Sequence, residues 1–452
     1  MAFGLSHHER NKRKNESGAP KRILLTNGRF PVTIDLARQL KRAGHTVYCV
    51  DPMEYHICKF SNSVKKSYYI DAPHVKPQGY IDGVKKAIRE QNIDMIIPLH
   101  EEIFYLAKSG EPEIIDRLFA PDFKVLLRLH NKWEFSKWLG RIGLDRPATW
   151  LCKSREDLLA LDLSKELALK PVFGRAKSGV FHHKPNEPIP EDIPVSDEIH
   201  YIAQEWVTGS AFCSYMVVRR GGIQAFAVYP VTETLDGSSC VYFKAIEHDA
   251  IRNYCEQVAK NLPNTGAQIA MDFIETPEGR LVAIECNPRA TSGIHLYSGT
   301  THLARALADP NHFPPSLAKI GAHRQVAPGM LMWEKKDVNL KRYLQHQKRL
   351  MSSRDVVFTT KDLLPVLMQP FLLTSYYKIC QERKMKLPEM FQWDLTWEPQ
   401  GEELAWARKL IEEEDARDEQ EVVKQEGRLE EIEPRTYQGE VGPSASRPEA
   451  SV

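Results

Sequence analysis

Apolar and polar positions change period along the chain. Ile23-Leu24-Leu25-Thr26 is a short apolar run closed by Asn27-Gly28, which predicts a strand and a turn. Ile34, Leu36, Ala37 and Leu40 then follow helical spacing, ended by Gly44. Thr46-Val47-Tyr48-Cys49-Val50, closed by Asp51-Pro52, is a second strand. Strand, helix and strand within about 30 residues form a βαβ unit, so the two strands run parallel. A helix over 81–91 and a strand over 93–98 repeat the pattern. Residues 21–125 are therefore expected to form an open α/β sheet domain. Its first turn lacks Gly-x-Gly-x-x-Gly, so no dinucleotide is assigned to it. His100-Glu101-Glu102 lies just past the carboxyl end of a parallel strand, a ligand position in such sheets, although a helix-start carboxylate reads equally well.

From about residue 165 the period becomes that of antiparallel strands. Leu167–Pro171, Tyr201–Val207, Phe212–Val218, Gln224–Pro230 and Val241–Ala245 read as strands, with Gly221-Gly222 as a hairpin turn. A helix over 250–264 precedes two more strands, which suits an α+β domain.

Composition narrows the classes. The 452 residues carry 61 Lys+Arg against 60 Asp+Glu, a net charge of +1, which argues against a nucleic-acid or membrane binder. The apolar run Leu363–Tyr377 is shorter than the ~20 residues of a spanning helix and contains Pro365 and Pro370. The first thirty residues hold no signal-peptide core. Eight scattered cysteines without a Cys-x-x-Cys pair suggest free thiols in a reducing compartment, so a cytoplasmic protein is expected. Residues 1–20, with Arg10-Asn11-Lys12-Arg13-Lys14, are expected to be disordered, and 411–452 to be a frayed helix running into a disordered acidic tail.

The candidate chemistry begins with a hairpin: Ile269-Ala270-Met271-Asp272-Phe273-Ile274-Glu275, the turn Pro277-Glu278-Gly279, then Arg280 through Asn287. A two-residue loop at Glu278-Gly279 gives paired residues whose numbers sum to 557. Asp272 then opposes Glu285, with Asn287 on the same face. Two such carboxylates, about 5 Å apart, repel unless a cation lies between them, and an Asp, Glu and Asn oxygen cluster suits magnesium. A turn over Pro277-Glu278 with Gly279 in a bulge gives 556 instead and sends the acids to opposite faces. Spacing leaves both registers open. Lys170 ends an apolar strand, where a buried ammonium needs an anion. Gly174-Arg175-Ala176-Lys177-Ser178-Gly179-Val180 is a loop able to cover polyphosphate without being a Walker A sequence. Gln204-Glu205-Trp206-Val207 ends a strand that could offer polar groups to an adenine edge.

In order and spacing these features resemble the ATP-grasp superfamily of carboxylate–amine and carboxylate–thiol ligases, over about residues 21–310. The most specific piece is Asp272…Glu285-Cys286-Asn287-Pro288-Arg289, similar to the family's Asp…Glu-x-Asn-Pro-Arg. The resemblance implies an α/β plus α+β chain: a pre-ATP-grasp parallel-sheet domain (21–125), an ATP-grasp domain of two subdomains (126–326) and a helical C-terminal extension (327–410). It favours the 557 register and makes Asp272, Glu285 and Asn287 the magnesium ligands, with manganese as a substitute. It implies that Lys132 and Lys170 touch ATP phosphates and that Gly174, Lys177, Ser178 and Gly179 belong to the phosphate lid. Gln204, Glu205, Trp206 and Val207 would read adenine, and Arg289 would meet the transferred phosphoryl group or a substrate carboxylate.

There are departures. Gly209-Ser210-Ala211 lacks the family's ribose-binding Glu, leaving Ser214 or another strand for that task. Ala270 stands where D-alanine–D-alanine ligase has an arginine, with Gln268 nearby. The implied reaction makes an acyl phosphate and then an amide from a small-molecule carboxylate and amine. Cys286 reads as core, and His182, His183, His295 and His302 as loop histidines. Residues 291–310 lie where the family binds the acceptor. The extension, with Trp393 and Trp397, reads as a cap and carries a looser likeness to ATP-grasp proteins of fungal biosynthetic gene clusters. That likeness suggests an amino-acid-derived specialised metabolite. A homodimer is in keeping with the superfamily, and a regulatory protein that kept the fold but lost turnover is the competing reading.

Overall fold

The computed structural model describes residues 18–174, 179–235, 239–263, 266–332 and 339–430. Lys177 and Ser178, the basic run at 10–14 and residues 431–452 lie outside them.

The chain starts with β1 (Arg22–Thr26), α1 (Pro31–Arg42), β2 (Thr46–Asp51), β3 (Lys66–Tyr69), α2 (Pro77–Gln91) and β4 (Met95–Ile97). The four strands form a parallel sheet in the order β3-β2-β1-β4. Ile23, Leu24 and Leu25 are fully buried because helices cover both faces of such a sheet, which is why the run is continuous rather than alternating. Pro31 and Pro77 open their helices, where a missing N–H costs nothing.

After α3 (Glu102–Lys108), α4 (Phe123–His130) and α5 (Lys132–Arg141) come two antiparallel sheets. The smaller holds β5 (Thr149–Cys152), β6 (Leu167–Pro171), β7 (Phe181–His183) and β8 (Tyr201–Glu205), in the order β5-β8-β6-β7. The larger is built on β9 (Ser210–Arg219) and β10 (Gly222–Pro230). Their turn is Arg220-Gly221, at φ 51° and 69°, and Gly222 already pairs with Arg219, so the hairpin turns one residue earlier than expected. The short β11 (Thr234–Leu235) and β12 (Ser239–Cys240), then β13 (Tyr242–Lys244) and α6 (Asp249–Lys260), lead to the hairpin β14 (Ala267–Glu275) and β15 (Leu281–Asn287). With β16 (Ser316–Leu317) they complete the sheet β15-β14-β9-β10-β16.

One core runs from Ile23, Leu25 and Leu36 of the parallel-sheet region to Tyr215, Val217 and Ala225 of the larger sheet. The extension packs on the parallel-sheet region. Val356, Val357, Leu372, Tyr376 and Met390 share a core with Ile34, Cys49 and Ile57. Trp397 is fully buried and stacks on Phe104 with ring centroids 5.0 Å apart. Arg29 ties the two regions together: its guanidinium lies 2.7 Å from Asp51 and 2.8 Å from Asp394, all three buried. A fork between two carboxylates satisfies the geometry that a buried charge needs. The remaining unit, 402–452, contributes most of the helix α7 (Gly401–Glu430).

Arg29→Ala leaves two carboxylates facing each other in the core. It is expected to cost about 3–5 kcal/mol, read as a fall in urea midpoint at unchanged slope.

Candidate active site

The β14–β15 hairpin carries both candidate acids. The Gly279 N–H donates to the Thr276 carbonyl and the Thr276 N–H to the Arg280 carbonyl, both at 2.9 Å. The turn therefore closes over Pro277-Glu278 with Gly279 at φ 87°, a conformation that suits glycine. Next to it Glu275 pairs with Leu281, Ile274 with Val282 and Phe273 with Ala283, the register summing to 556. Beyond it Asp272 pairs with Glu285, Met271 with Cys286 and Ala270 with Asn287, the register summing to 557. Ile284 is the extra residue of a β-bulge. Both registers read from the sequence occur in one hairpin. The bulge is what brings Glu285 and Asn287 to the face of Asp272, while Cys286 turns into the core.

These residues line a cavity of about 600 Å³ between the two antiparallel sheets, whose other wall is the end of the parallel-sheet region. Lys132, Lys170, Gly174, Gln204, Glu205, Trp206, Val207 and Arg289 line it as well. Gly179 is at φ 66° and does not line it.

The charges are arranged as a cluster. Burial and the facing Glu285 push the Asp272 carboxyl up to about 6, against donation from the Cys213 thiol and the positive Arg289 and Lys170. Burial pulls the Lys170 ammonium down to about 8, opposed by Glu285. Lys170 Nζ donates to Gln204 Oε1 at 2.9 Å. Lys132 opens α5, where the Asn131 side chain caps the N–H groups of Trp133 and Glu134 at 3.0 Å. Its Nζ donates to the Gly174 carbonyl at 2.6 Å and lies 3.8 Å from Glu285 Oε1. Arg289 Nη2 is 4.0 Å from Glu101 Oε1. Two opposed carboxylates and an amide oxygen make an oxygen donor set that fits magnesium.

At the other end Trp206 stacks on His182, with ring centroids 3.6 Å apart, and His182 Nε2 lies 2.6 Å from Glu166. The Glu205 carboxylate is held by Arg280 at 2.6 Å and by the Ala148 N–H at 3.0 Å, which depresses its pKa. It is thus anchored to the start of β15. Gly209 lies so close to the Glu275 carbonyl that a Cβ would stand 2.1 Å from it. Two stand-ins suggested by the sequence are placed elsewhere. Ser214 is fully buried with its Oγ directed at the Met271 carbonyl, and Gln268 bonds Tyr215 Oη and the Pro98 carbonyl. Neither lines the cavity.

Sequence reasoning missed Phe30, Pro31, Val32, Leu99 and Gln392, which also line the cavity. The first three follow the carboxyl end of β1, and that position in a parallel sheet was the available signal. Gln392 carried none.

Solved structures share this architecture. The chain is similar to an N5-carboxyaminoimidazole ribonucleotide synthetase in complex with ADP (TM-score 0.57, 16% identity, covering 74% of this chain and 97% of that one). It is similar to the N5-carboxyaminoimidazole synthetase of Staphylococcus aureus complexed with ADP (0.53, 14%, 73% and 86%). It is also similar to an L-amino acid ligase from Bacillus licheniformis (0.53, 16%, 68% and 80%). The chain has the ATP-grasp fold, as its motif order implied. No protein-family model and no curated protein sequence matches it. Among the described residues no helix is long and apolar enough to cross a membrane.

The raised Asp272 pKa has a stability consequence. The folded protein holds this proton up to about pH 6, whereas the unfolded chain loses it near 3.8. Ionised Asp272 therefore destabilises the ligand-free protein fully above pH 6, and the penalty fades as the pH falls toward 4. Asp272→Asn is expected to stabilise the ligand-free protein at pH 8 by about 3 kcal/mol, and hardly at pH 4, in urea titrations at the two pH values.

Proposed function

We propose that the chain is an ATP- and magnesium-dependent ligase that activates a carboxylate as an acyl phosphate and joins it to an amine. The observation that carries the reading is the facing pair Asp272 and Glu285, with Asn287, beside Lys170 and Lys132 in one cavity. Like charges so placed are costly alone and become useful when a divalent cation and a triphosphate share the site. Asp272, Glu285 and Asn287 would hold the metal, which when bound neutralises phosphate charge.

Lys170 and Lys132 draw the phosphates into line, and Lys170, buried against Gln204, loses little hydration in doing so. Gly174 lines the cavity, and in this reading the cover over the phosphates belongs to the segment 174–180, of which Lys177 and Ser178 lie outside the described residues. Gln204, Trp206 and Val207 line the nucleotide end, while Glu205 holds that strand to Arg280. Arg289 binds the substrate carboxylate or the transferred phosphoryl group. The work is positioning and charge neutralisation rather than covalent catalysis.

The domains at 21–125 and 126–326, capped by 327–410, serve as substrate and nucleotide parts. Small-molecule acid and amine, specialised metabolism, a cytoplasmic setting and a homodimer complete the reading. The rival, a nucleotide-binding regulatory protein, draws on Ala211 where a ribose-binding carboxylate is expected.

A phosphate-release screen of carboxylic acids paired with amino acids tests the reading. Turnover that Asn287→Ala lowers by about 100-fold supports the ligase. Mg·ATP binding without ADP release in any pairing favours the regulator, and an Asn287→Ala variant as fast as the parent removes the metal assignment.

A further inference from the structure

An amine held as ammonium near neutral pH cannot attack an acyl phosphate, and the adduct it forms as a free amine must still lose a proton. In the proposed site Asp272 and Glu285 serve the metal, so the proton has to go to another group. At the acceptor end of the same cavity stands His295, on the short 3₁₀ helix 292–297 that follows Arg289. Its residue exposure is only 1%, yet it lines the cavity together with Thr291 and Ser292.

His295 Nδ1 lies 2.8 Å from Asp35 Oδ2, and Asp35, on α1, is itself buried. Asp35 also accepts from Ser298 Oγ and, at 3.4 Å, from Gln39 Nε2. A carboxylate so held keeps the proton of a neutral imidazole on Nδ1 and leaves Nε2 as the basic nitrogen. The other groups around the pair are Arg324 of the strand His323–Gln325, which bonds the Ser298 carbonyl at 3.0 Å and is drawn to Asp35, and the Phe243 ring, 5.5 Å from the His295 ring. Thr291 Oγ1 is buried without a hydrogen-bond partner, as a hydroxyl awaiting a ligand would be. Opposite are Phe30, stacked on His100 with ring centroids 5.0 Å apart, and Pro31, Val32, Leu99 and Val326.

We propose that His295, oriented by Asp35, is the catalytic base that takes the proton from the attacking amine, and that this amine belongs to a molecule with an apolar or aromatic body. The inference rests on the ligase reading. The amine lone pair forms the C–N bond at the acyl carbon, and the C–O bond to phosphate breaks with its electron pair leaving on phosphate. The N–H proton passes to Nε2, giving an imidazolium that Asp35 stabilises, and then to solvent. Asp35 acts through the ring and is a positioning residue.

The test uses the full chain with Mg·ATP, an acid found by phosphate release, and two acceptors: hydroxylamine, which is neutral at pH 7.5 and so weakly basic that its adduct gives up its proton to water without a protein base, and the proteinogenic amino acid that the parent couples best. In His295→Gln the ratio of amide to hydroxamate is expected to fall about 100-fold or more and to recover as the pH rises from 7.5 toward the amine's own pKa. Asp35→Asn is expected to lower kcat for the amine at unchanged KM and to displace the acidic limb of its pH profile. Equal loss of amide and hydroxamate in His295→Gln, with the melting temperature kept, overturns the proposal and makes the pair a structural tie. A parent that makes hydroxamate but whose amide yield is insensitive to His295→Gln overturns it too and leaves the ligase reading standing. A parent that releases no ADP with any acid overturns both.

Discussion

The site depends on a repulsion. Asp272 and Glu285 are held face to face across two antiparallel strands, and neither gains from the other's presence. The fold sustains the pair because β14 is central in its sheet, flanked by β9 and β15, and its apolar neighbours Met271 and Phe273 are buried on the opposite face. The strands are stable for reasons unrelated to the acids, and the acids are left with an unmet need for positive charge. Lys170, Lys132 and Arg289 answer part of it. A divalent ion and its triphosphate would answer the rest.

A second constraint joins the site to distant parts of the chain. The cavity is closed at one end by Phe30, Pro31 and Val32, which follow β1, and by Gln392 of the extension. Those segments keep their places because Arg29 lies between Asp51 and Asp394 and because Trp397 packs against Phe104, Phe123 and Phe173. The extension therefore stands as a buttress behind the end of the cavity that Phe30, Pro31 and Val32 close. Asp35 and His295 cross the same boundary, and with Ser298 on Asp35 and Gln39 on the Ile294 carbonyl they link the parallel-sheet region to the loop after β15.

Most elements were legible from period and punctuation. The parallel strands stand out as continuous apolar runs, the helices as 3.6-residue stripes and the β14–β15 hairpin as two runs around Pro277-Glu278-Gly279. Lys170, the Asp272 to Arg289 motif and the segment 204–207 were found by type and spacing and Lys132 through the family resemblance, and the cavity brings the described ones together apart from Gly179. The stand-ins Ser214 and Gln268 went astray because strand parity does not reveal which face of a central strand is the inner core. Glu205 kept its place on the wall but proved to be tied to Arg280, a partner 75 positions away.

By itself the sequence determined which residues are strands, which are helices and which donors exist, since these follow from local propensity and from side-chain chemistry. Tertiary structure alone decided the hairpin's register, because a bulge at Ile284 costs one ladder position and is chosen by how β15 must sit on β14. It alone paired Arg29 with Asp394 and His295 with Asp35, contacts across hundreds of residues that no local pattern encodes. Burial then set the proton affinities of Asp272 and Lys170, which belong to the folded surroundings rather than to the residue types.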